Sequence, residues 1–278
     1  MLKKVFSLFL VLSLPVFIFG CAGGGKAIQI KGSDTMVNLG QAWAEEFMKE
    51  YPAVPVAVTG GGSGTGIAAL LSNSTDIAQC SRQIEPKEIA LAKKKGINPK
   101  EFHVANDGIV VVVNPANKVN KLSTRQLSDI FNGKIKNWKE VGGKNEDIVV
   151  LSRERNSGTH VFFLEHVVKL GDKKSPNEFA PCVLMMPSSQ AIVEEINGNT
   201  AAIGYFGLGY LTNKQKAVAV NGVLPSVKTV TLGQYPISRS LLFYTNDEPN
   251  EKVKSFIDFA MSKKGQEIVL KMDFVPIR

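Results

Sequence analysis

Three short segments rich in serine, threonine and glycine each stand between a strand-like run and a helical pattern. They span residues 32–35, 62–66 and 156–159. The apolar residues that follow recur with the period of a helix, as Leu39 and Trp43 do after the first segment. A chain organised in this way alternates strands with helices. The pattern therefore predicts α/β lobes with mostly parallel sheets.

The same segments are candidates for binding an anion. A helix N-terminus presents unpaired N–H groups and a partial positive charge, and in open α/β sheets ligands bind at the carboxyl ends of strands. A fourth strand end, at residues 76–82, closes with Ser81 and Arg82, and Arg153 precedes the third segment. Each segment alone would be an ordinary turn with a helix cap, and either arginine could be a surface residue. Their joint occurrence predicts an enclosed site for a small oxyanion.

Further apolar runs, together with Pro and Gly residues, predict the remaining strands and helices. An unbroken β-branched run at 109–113 is typical of a strand buried on both faces. Pro86 and Gly96 bound a helical pattern. Other strands are predicted at 28–31, 54–58, 76–80, 148–151, 201–205 and 241–244, and helices up to residue 51 and at 86–95, 122–131, 188–196, 253–261 and 264–271.

The N-terminus has the pattern of an export signal. Lys3 and Lys4 precede an apolar stretch from 5 to 19, and Gly20 stands directly before Cys21. The stretch is too short for a convincing membrane span. Because the junction is similar to that of bacterial lipoproteins, we expect residues 1–20 to be a signal peptide, Cys21 to carry lipid, and 21–25 to tether the domain to the periplasmic or cell-surface face of a membrane. An ordinary signal peptide with a coincidental cysteine is the alternative.

The charge of the chain limits the class of ligand, and its cysteines and histidines bear on disulfides and metal sites. The formal charge is +8, or +6 once Lys3 and Lys4 leave with the signal peptide, and the basic residues are scattered. This distribution does not predict a nucleic-acid surface but suits anionic solutes or an anionic membrane. Cys80 and Cys182 could pair, although two buried thiols are favoured. The spacing of cysteines and histidines predicts neither a metal site nor a cofactor.

Taken together, these motifs resemble those of the phosphate-binding lipoproteins of bacterial phosphate ABC transporters, which have the type II periplasmic-binding-protein fold. The resemblance covers almost the whole mature chain, and its elements are specific in combination. The matching segments are residues 31–36, 61–66, 76–82, 130–138, 153–159, 202–205 and 235–238.

The resemblance implies a two-lobed α/β clamp with an anion site in the cleft between the lobes. One lobe would comprise residues 26–107 and 237–278 and the other residues 108–236, with two crossovers near Gly108 and Pro236 as the hinge. It also implies a monomer that binds inorganic phosphate with high affinity outside the cytoplasmic membrane and delivers it to the transmembrane subunits of an ABC permease. Binding would close the lobes.

The resemblance also implies which residues contact phosphate. The family's contacts map onto Thr35 and Ser63 in one lobe and onto Arg153 and residues 157–159 in the other, while Met36 would contribute its backbone N–H. With their neighbours in the same segments, the predicted phosphate-binding residues are Ser33, Asp34, Thr35, Met36, Ser63, Ser81, Arg82, Arg153, Ser157, Gly158 and Thr159.

One position departs from the family pattern. Ser81 stands where the best-known members carry a carboxylate, which accepts a hydrogen bond from protonated phosphate and repels sulfate. A serine accepts but does not repel a dianion. Asp34 is the candidate replacement, with capping of the helix as its alternative role. Without an acid in the site, the chain would be a receptor for another tetrahedral oxyanion, such as sulfate or molybdate.

An enzyme is the weaker alternative. Residues 62–66 match neither nucleotide-binding loops nor the hydrolase elbow. Ser157 and His160 could supply a nucleophile and a base, but no orienting acid is evident for a phosphatase-like hydrolase. An adhesion or scaffold role is a third class. Phosphate binding without catalysis is the favoured interpretation.

Overall fold

The computed structural model describes residues 26–277. Its first part is a regular alternation of strands and helices, because apolar residues follow a period of two and then of 3.6. In the first long helix, Leu39, Trp43 and Phe47 form one fully buried face, and the Trp43 indole donates to the Gly265 carbonyl at 2.9 Å. The elements are β1 (Ile28–Gly32), a 3-10 turn (Asp34–Met36), α1 (Val37–Glu50), β2 (Val56–Thr59), α2 (Ser63–Leu70), β3 (Ile77–Cys80) and α3 (Pro86–Lys94).

The middle of the chain contains shorter elements with well-formed caps. The α4 helix begins with a capping box, in which Ser123 and Gln126 satisfy each other's backbone N–H groups. The elements are β4 (Pro99–Val113), β5 (Lys121–Leu122), α4 (Thr124–Phe131), a 3-10 turn (Trp138–Val141), β6 (Val149–Arg153), α5 (Gly158–Phe163), a π-helical turn (Leu164–Val168), β7 (Leu184–Met186), α6 (Ser189–Gly198), β8 (Ala202–Gly207), a 3-10 turn (Leu208–Tyr210), β9 (Lys216–Ala217), β10 (Ala219–Val220) and α7 (Val227–Thr231).

The C-terminal part of the chain packs against the elements formed by its first part. A long strand is followed by two helices that pack on α1. These elements are β11 (Ser238–Asn246), α8 (Glu251–Met261) and α9 (Lys263–Lys271).

One long sheet runs through the molecule in the order β2-β1-β3-β11-β4-β8-β6-β7, and β9 also pairs with β4. The strands β4 and β11 lie at its centre and pair with each other in antiparallel fashion, Arg239 opposite Asp107. The outer pairs on both sides are parallel, whereas β4 and β11 run antiparallel to their neighbours. The α/β class is confirmed, but the sheet is mixed rather than mostly parallel because two strands cross between its halves.

The buried side chains separate into groups on either side of the central strands. One group surrounds Trp43 and Phe47 and draws on residues 28–105 and 241–274. Another surrounds Phe131 and Phe163 and draws on residues 109–237 together with Val275. Two cores of this kind are consistent with two lobes, whose predicted boundaries stay a prediction.

Two of the three cysteines lie within the described residues. Cys80 is buried, and Cys182 is exposed in the turn before β7; both are free. The expectation of unpaired thiols is confirmed, and the expected burial of Cys182 is wrong. Between residues 26 and 277 no helix has the length and apolar character needed to cross a membrane. The predicted signal peptide, lipidated Cys21 and tether lie outside the described residues.

Candidate anion-binding site

Five hydroxyl side chains from the predicted segments lie together between the two halves of the sheet. We call Ser33, Thr35, Ser63, Ser81 and Thr159 the hydroxyl cluster. All five are at most 1% exposed. The Ser33 hydroxyl donates to Ser81 Oγ at 2.9 Å, Ser63 Oγ lies 3.4 Å from Ser81 Oγ, and Thr35 Oγ1 lies 2.8 Å from Thr159 Oγ1. The structure thus gathers polar groups from both halves into one buried place.

Strand register brings the first-half members of the cluster together. Within the parallel β1–β3 pair, Gly32 is opposite Gln79, so the chain leaves both strands at the same edge of the sheet. Gly32 has a φ of +142°, and a Cβ there would lie 2.2 Å from the Gln79 carbonyl oxygen. This close approach requires glycine at the strand end. It places Ser33 beside Ser81.

The start of α5 reaches the cluster from the other half. Ser157 caps this helix by accepting from the His160 backbone N–H at 3.4 Å, and Gly158 follows as its first residue. A Cβ on Gly158 would lie 2.3 Å from Ser63 Oγ and 2.8 Å from Ser81 Oγ. The first N–H groups of a helix have no intrahelical acceptor. The arrangement therefore brings the N-terminus of α5 against buried hydroxyls.

Arg153 lies at the end of β6 with its side chain 2% exposed. Its Nη1 donates to Asp34 Oδ2 and to Ser189 Oγ, both at 2.9 Å. Its Nε donates to the Met186 carbonyl at 3.3 Å, and Nη2 donates to the Pro187 carbonyl at 3.0 Å. A guanidinium has five N–H donors. One Nη2 hydrogen is left for a further acceptor.

Asp34 does not cap the helix that it begins. The turn at Asp34–Met36 has no side-chain cap, and Asp34 Oδ2 instead accepts from Arg153 and, at 2.8 Å, from the backbone N–H of Ser189. The alternative that Asp34 caps its own helix is therefore wrong, although its carboxylate accepts the first N–H of α6. The carboxylate joins the two halves of the sheet, and a contact between Asp34 and the anion stays a prediction.

Two other predicted residues have their polar groups engaged elsewhere. The Arg82 guanidinium donates from both Nη atoms to Glu88 at 2.8 Å and lies 3.5 Å from Glu85 Oε1. Met36 is fully buried, and its N–H donates to the Ser33 carbonyl at 3.1 Å. The structure thus does not bring the Arg82 fork into hydrogen-bonding contact with the hydroxyl cluster.

Sequence reasoning missed a second buried arginine at the cluster. Arg239 Nη2 donates to Thr35 Oγ1 at 3.3 Å, and Nη1 donates to the Ser81 carbonyl at 3.1 Å. Asp107 Oδ2 accepts from Arg239 Nε at 3.1 Å and from Nη2 at 2.8 Å. Burial raises the pKa of Asp107 and lowers that of Arg239, while the attraction between the two charges opposes both shifts. The sequence offered one signal for this residue, because Arg239 directly follows the matching segment 235–238.

Hydrogen bonds beside the cluster also join the two halves. Asn156 Nδ2 donates to the Gly61 carbonyl at 2.9 Å, and the Asn156 carbonyl accepts from the Gly64 N–H at 3.0 Å. The Tyr210 hydroxyl also donates to the Asp34 carbonyl at 2.9 Å. These bonds tie segments that carry the hydroxyl cluster to the other half of the sheet.

His160 does not form a nucleophile–base pair with Ser157. Its ring Nδ1 lies 3.1 Å from Ser152 Oγ, which lies 2.6 Å from the Tyr205 hydroxyl, and only its backbone N–H bonds Ser157. Burial lowers the pKa of His160 to about 4, so the ring is neutral at pH 7. Across residues 26–277, no group of three or more His, Cys, Asp or Glu side chains is placed to hold a metal ion.

Comparison with known proteins identifies relatives along most of the chain. Residues 21–264 match the family model described as a PBP superfamily domain. The chain is 34% identical to a phosphate-binding protein PstS of Bacillus subtilis, over 90% of this chain and 81% of that protein. It is 28% identical to the PstS of Borreliella burgdorferi over the full length of both.

Solved structures agree with these relatives. A substrate-binding protein assigned to a phosphate ABC transporter of Clostridium perfringens, solved with bound phosphate, superposes with a TM-score of 0.83 at 34% identity. The match covers 91% of this chain and all of that one. An ABC-type phosphate transport receptor from Vibrio cholerae superposes with a TM-score of 0.73 at 31% identity, over 89% and 99% of the two chains.

Proposed function

This chain belongs to the PstS family of phosphate-binding proteins, within the PBP superfamily, and we propose from that premise that it binds inorganic phosphate and delivers it to an ABC permease. The protein acts as a transport receptor and not as an enzyme. The observation that carries the proposal is the hydroxyl cluster, with the start of α5 and the Arg153 guanidinium beside it.

The chemistry of the cluster suits a tetrahedral oxyanion. A phosphate dianion gives up its hydration on entering a buried site, which is prohibitive without replacement partners. Each hydroxyl supplies one donor hydrogen that can turn from its neighbour towards an anion, and a helix N-terminus adds N–H groups and a partial positive charge. Charge-assisted hydrogen bonds of this kind support micromolar or tighter affinity, about −8 kcal/mol or better.

Eleven residues are proposed as the phosphate-binding set, and they differ in the directness of their support. Seven of them belong to the hydroxyl cluster or to the start of α5 that packs against it: Ser33, Thr35, Ser63, Ser81, Ser157, Gly158 and Thr159. Arg153 is buried and bonded to Asp34, which lies between Ser33 and Thr35 in the chain. Asp34 enters through its ion pair with Arg153. Arg82 and Met36 stay in the set on the sequence alone, because both Nη atoms of Arg82 and the Met36 N–H have other partners.

Binding is proposed to close two lobes over the anion. Residues 26–107 and 237–278 would form one lobe and residues 108–236 the other, with the hinge near Gly108 and Pro236. The separate cores support this division, and among the strands of residues 26–277 it is β4 and β11 that connect the halves of the long sheet. The hydrogen bonds of Asn156 and Asp34 would hold the closed form.

The receptor is proposed to be an exported, lipid-anchored monomer. The pattern at residues 1–21 supports cleavage before Cys21 and lipid on its thiol, which leaves residues 21–25 as a tether at the outer face of the membrane. Replacing Cys21 with serine is expected to release the protein from the membrane fraction. Retention of the C21S protein in the membrane fraction would contradict lipid attachment.

A broader oxyanion receptor is the second candidate. Ser81 carries no charge to repel sulfate, and Asp34 Oδ2 is already bonded to Arg153 and Ser189. Calorimetric titration of the dialysed protein with phosphate and then with sulfate separates the two proposals. A binding heat with phosphate and none with sulfate supports a phosphate receptor with an acid in its site. Comparable binding supports the broader receptor, and silence with both anions contradicts both.

A further inference from the structure

The pair formed by Asp107 and Arg239 is buried where the two long strands cross. The two residues are cross-strand partners in β4 and β11, and their side chains are 0% and 2% exposed. They contact both halves of the sheet, because Asp107 Oδ1 accepts from the Leu208 N–H at 2.9 Å while Arg239 donates to the Ser81 carbonyl. Arg239 also lies over the Phe162 ring, 5.9 Å from its centroid.

The direction of the bond between Arg239 and Thr35 is fixed. A guanidinium only donates, so Thr35 Oγ1 is the acceptor at 3.3 Å. A hydroxyl that accepts from one side keeps its single hydrogen for another partner. In this structure the neighbouring oxygen is Thr159 Oγ1, 2.8 Å away. An anion between these residues would receive the Thr35 hydrogen.

Arg239 also brings a second buried positive charge to the cluster. Four of its five donor hydrogens are used by Asp107, Thr35 and the Ser81 carbonyl, which leaves one on Nη1. Asp107 orients the fork and offsets part of its charge. At low local dielectric, a cation one hydroxyl away from a ligand favours the more highly charged form of that ligand.

We propose that Arg239, oriented by Asp107, is a positioning residue that turns the Thr35 hydroxyl into a donor and makes the site prefer the phosphate dianion over the monoanion. The proposal rests on the proposed function. It differs from the direct role of Arg153, since Arg239 acts through Thr35 and through its charge.

Other ionisable groups near the Arg239 guanidinium are unchanged in the test variants. Besides Asp107, Arg153 and the Tyr205 hydroxyl face it. A cavity of about 500 Å³ beside it is also lined by Arg82, Glu85, Glu165, His166 and Lys173. Because wild type and variants share these groups, their titration cancels when affinity ratios are compared.

The test is phosphate affinity by calorimetry on either side of the second ionisation of phosphate. For Arg239→Gln, we expect phosphate affinity to fall about tenfold or more at the alkaline pH and clearly less at the acidic pH. The ratio of phosphate affinity at alkaline pH to phosphate affinity at acidic pH therefore falls. Arg239→Lys keeps the charge and should keep most of the ratio. Asp107→Asn removes the offsetting charge and should raise the ratio. Arg125→Gln, which breaks the ion pair with Asp129 within α4, is the matched control.

Thermal melting without phosphate separates folding from binding. If Arg239→Gln and Asp107→Asn both lower affinity equally at the two pH values, the pair is only structural and the inference is overturned. If Arg239→Gln does not fold, the other two variants decide. The inference is overturned if Arg239→Lys loses most of the affinity ratio or if Asp107→Asn does not raise it. Absence of phosphate binding in the wild type would overturn the proposed function together with this inference, whereas wild-type binding with unchanged ratios overturns this inference alone.

Discussion

Asp34 and Arg153 lie in different halves of the long sheet, and Asp34 Oδ2 is 2.9 Å from Arg153 Nη1. The arginine side chain is almost fully buried, and the carboxylate is 18% exposed. The same oxygen accepts the first N–H of α6, where the helix dipole also favours a negative charge. One carboxylate therefore stabilises the contact between the halves and holds the guanidinium beside the hydroxyl cluster.

Removing the charge of Asp34 should favour an open form. In Asp34→Asn, the buried guanidinium loses its charged partner, and the contact weakens by about 1.5–3 kcal/mol. With phosphate bound, we expect a larger radius of gyration in small-angle scattering for Asp34→Asn than for the wild type. Asp129→Asn, which removes a carboxylate that pairs with Arg125 inside one helix, should leave the radius unchanged. Equal radii for Asp34→Asn and wild type would show that this ion pair does not hold the halves together.

Removal of a proposed donor to the anion should weaken phosphate binding strongly. In Arg153→Ala and Ser157→Ala, the site loses a charge-assisted bond worth about 1.5–3 kcal/mol. Ser157→Ala also removes the cap of α5, which is worth about 0.5–2 kcal/mol. Phosphate affinity measured by calorimetry should fall at least about tenfold in each variant. Wild-type affinity in both variants would refute the assignment of these residues to the site.

A methyl group at Gly158 should block closure. The added Cβ would lie within 2.3 Å of Ser63 Oγ, and overpacking of this kind costs about 1–3 kcal/mol. We expect Gly158→Ala to bind phosphate about 10- to 100-fold more weakly, with little change in the melting temperature of the unliganded protein. Gly198→Ala is the matched control, because a Cβ there has no neighbour within 4 Å. Unimpaired binding by Gly158→Ala would mean that the halves need not approach this closely.

His160 should make stability depend on pH. Burial lowers its pKa to about 4 from the ordinary 6.5, so the unfolded chain binds more protons between these values. The free energy of unfolding should therefore fall as the pH decreases from about 6.5 towards about 4, by about 3 kcal/mol in total. Urea unfolding at about pH 7 and about pH 4.5 should show a smaller difference for His160→Asn than for wild type. The exposed His103, replaced in the same way, should keep the wild-type difference; identical pH dependence in all three proteins would contradict this assignment.

The sequence predicted much of the fold because its patterns are local. Apolar periodicity predicted α1 and both C-terminal helices to within a few residues, since helix and strand periods depend on neighbours in the chain. The first ten residues of β4 were missed. They mix polar and apolar side chains without strict alternation, as Phe102 and His103 do, and pair with a strand at least 130 residues away.

The candidate site shows the same difference between local patterns and long-range contacts. By itself, the sequence determined that Ser, Thr and Gly segments begin helices at strand ends, because capping and tight turns are local chemistry. Only the tertiary structure decided that Arg82 pairs with Glu88, that Asp34 pairs with Arg153 and that Arg239 reaches Thr35. These partners lie 6, 119 and 204 residues apart. A buried charge takes whichever partner the packing of the halves brings within reach, and no local pattern encodes that choice.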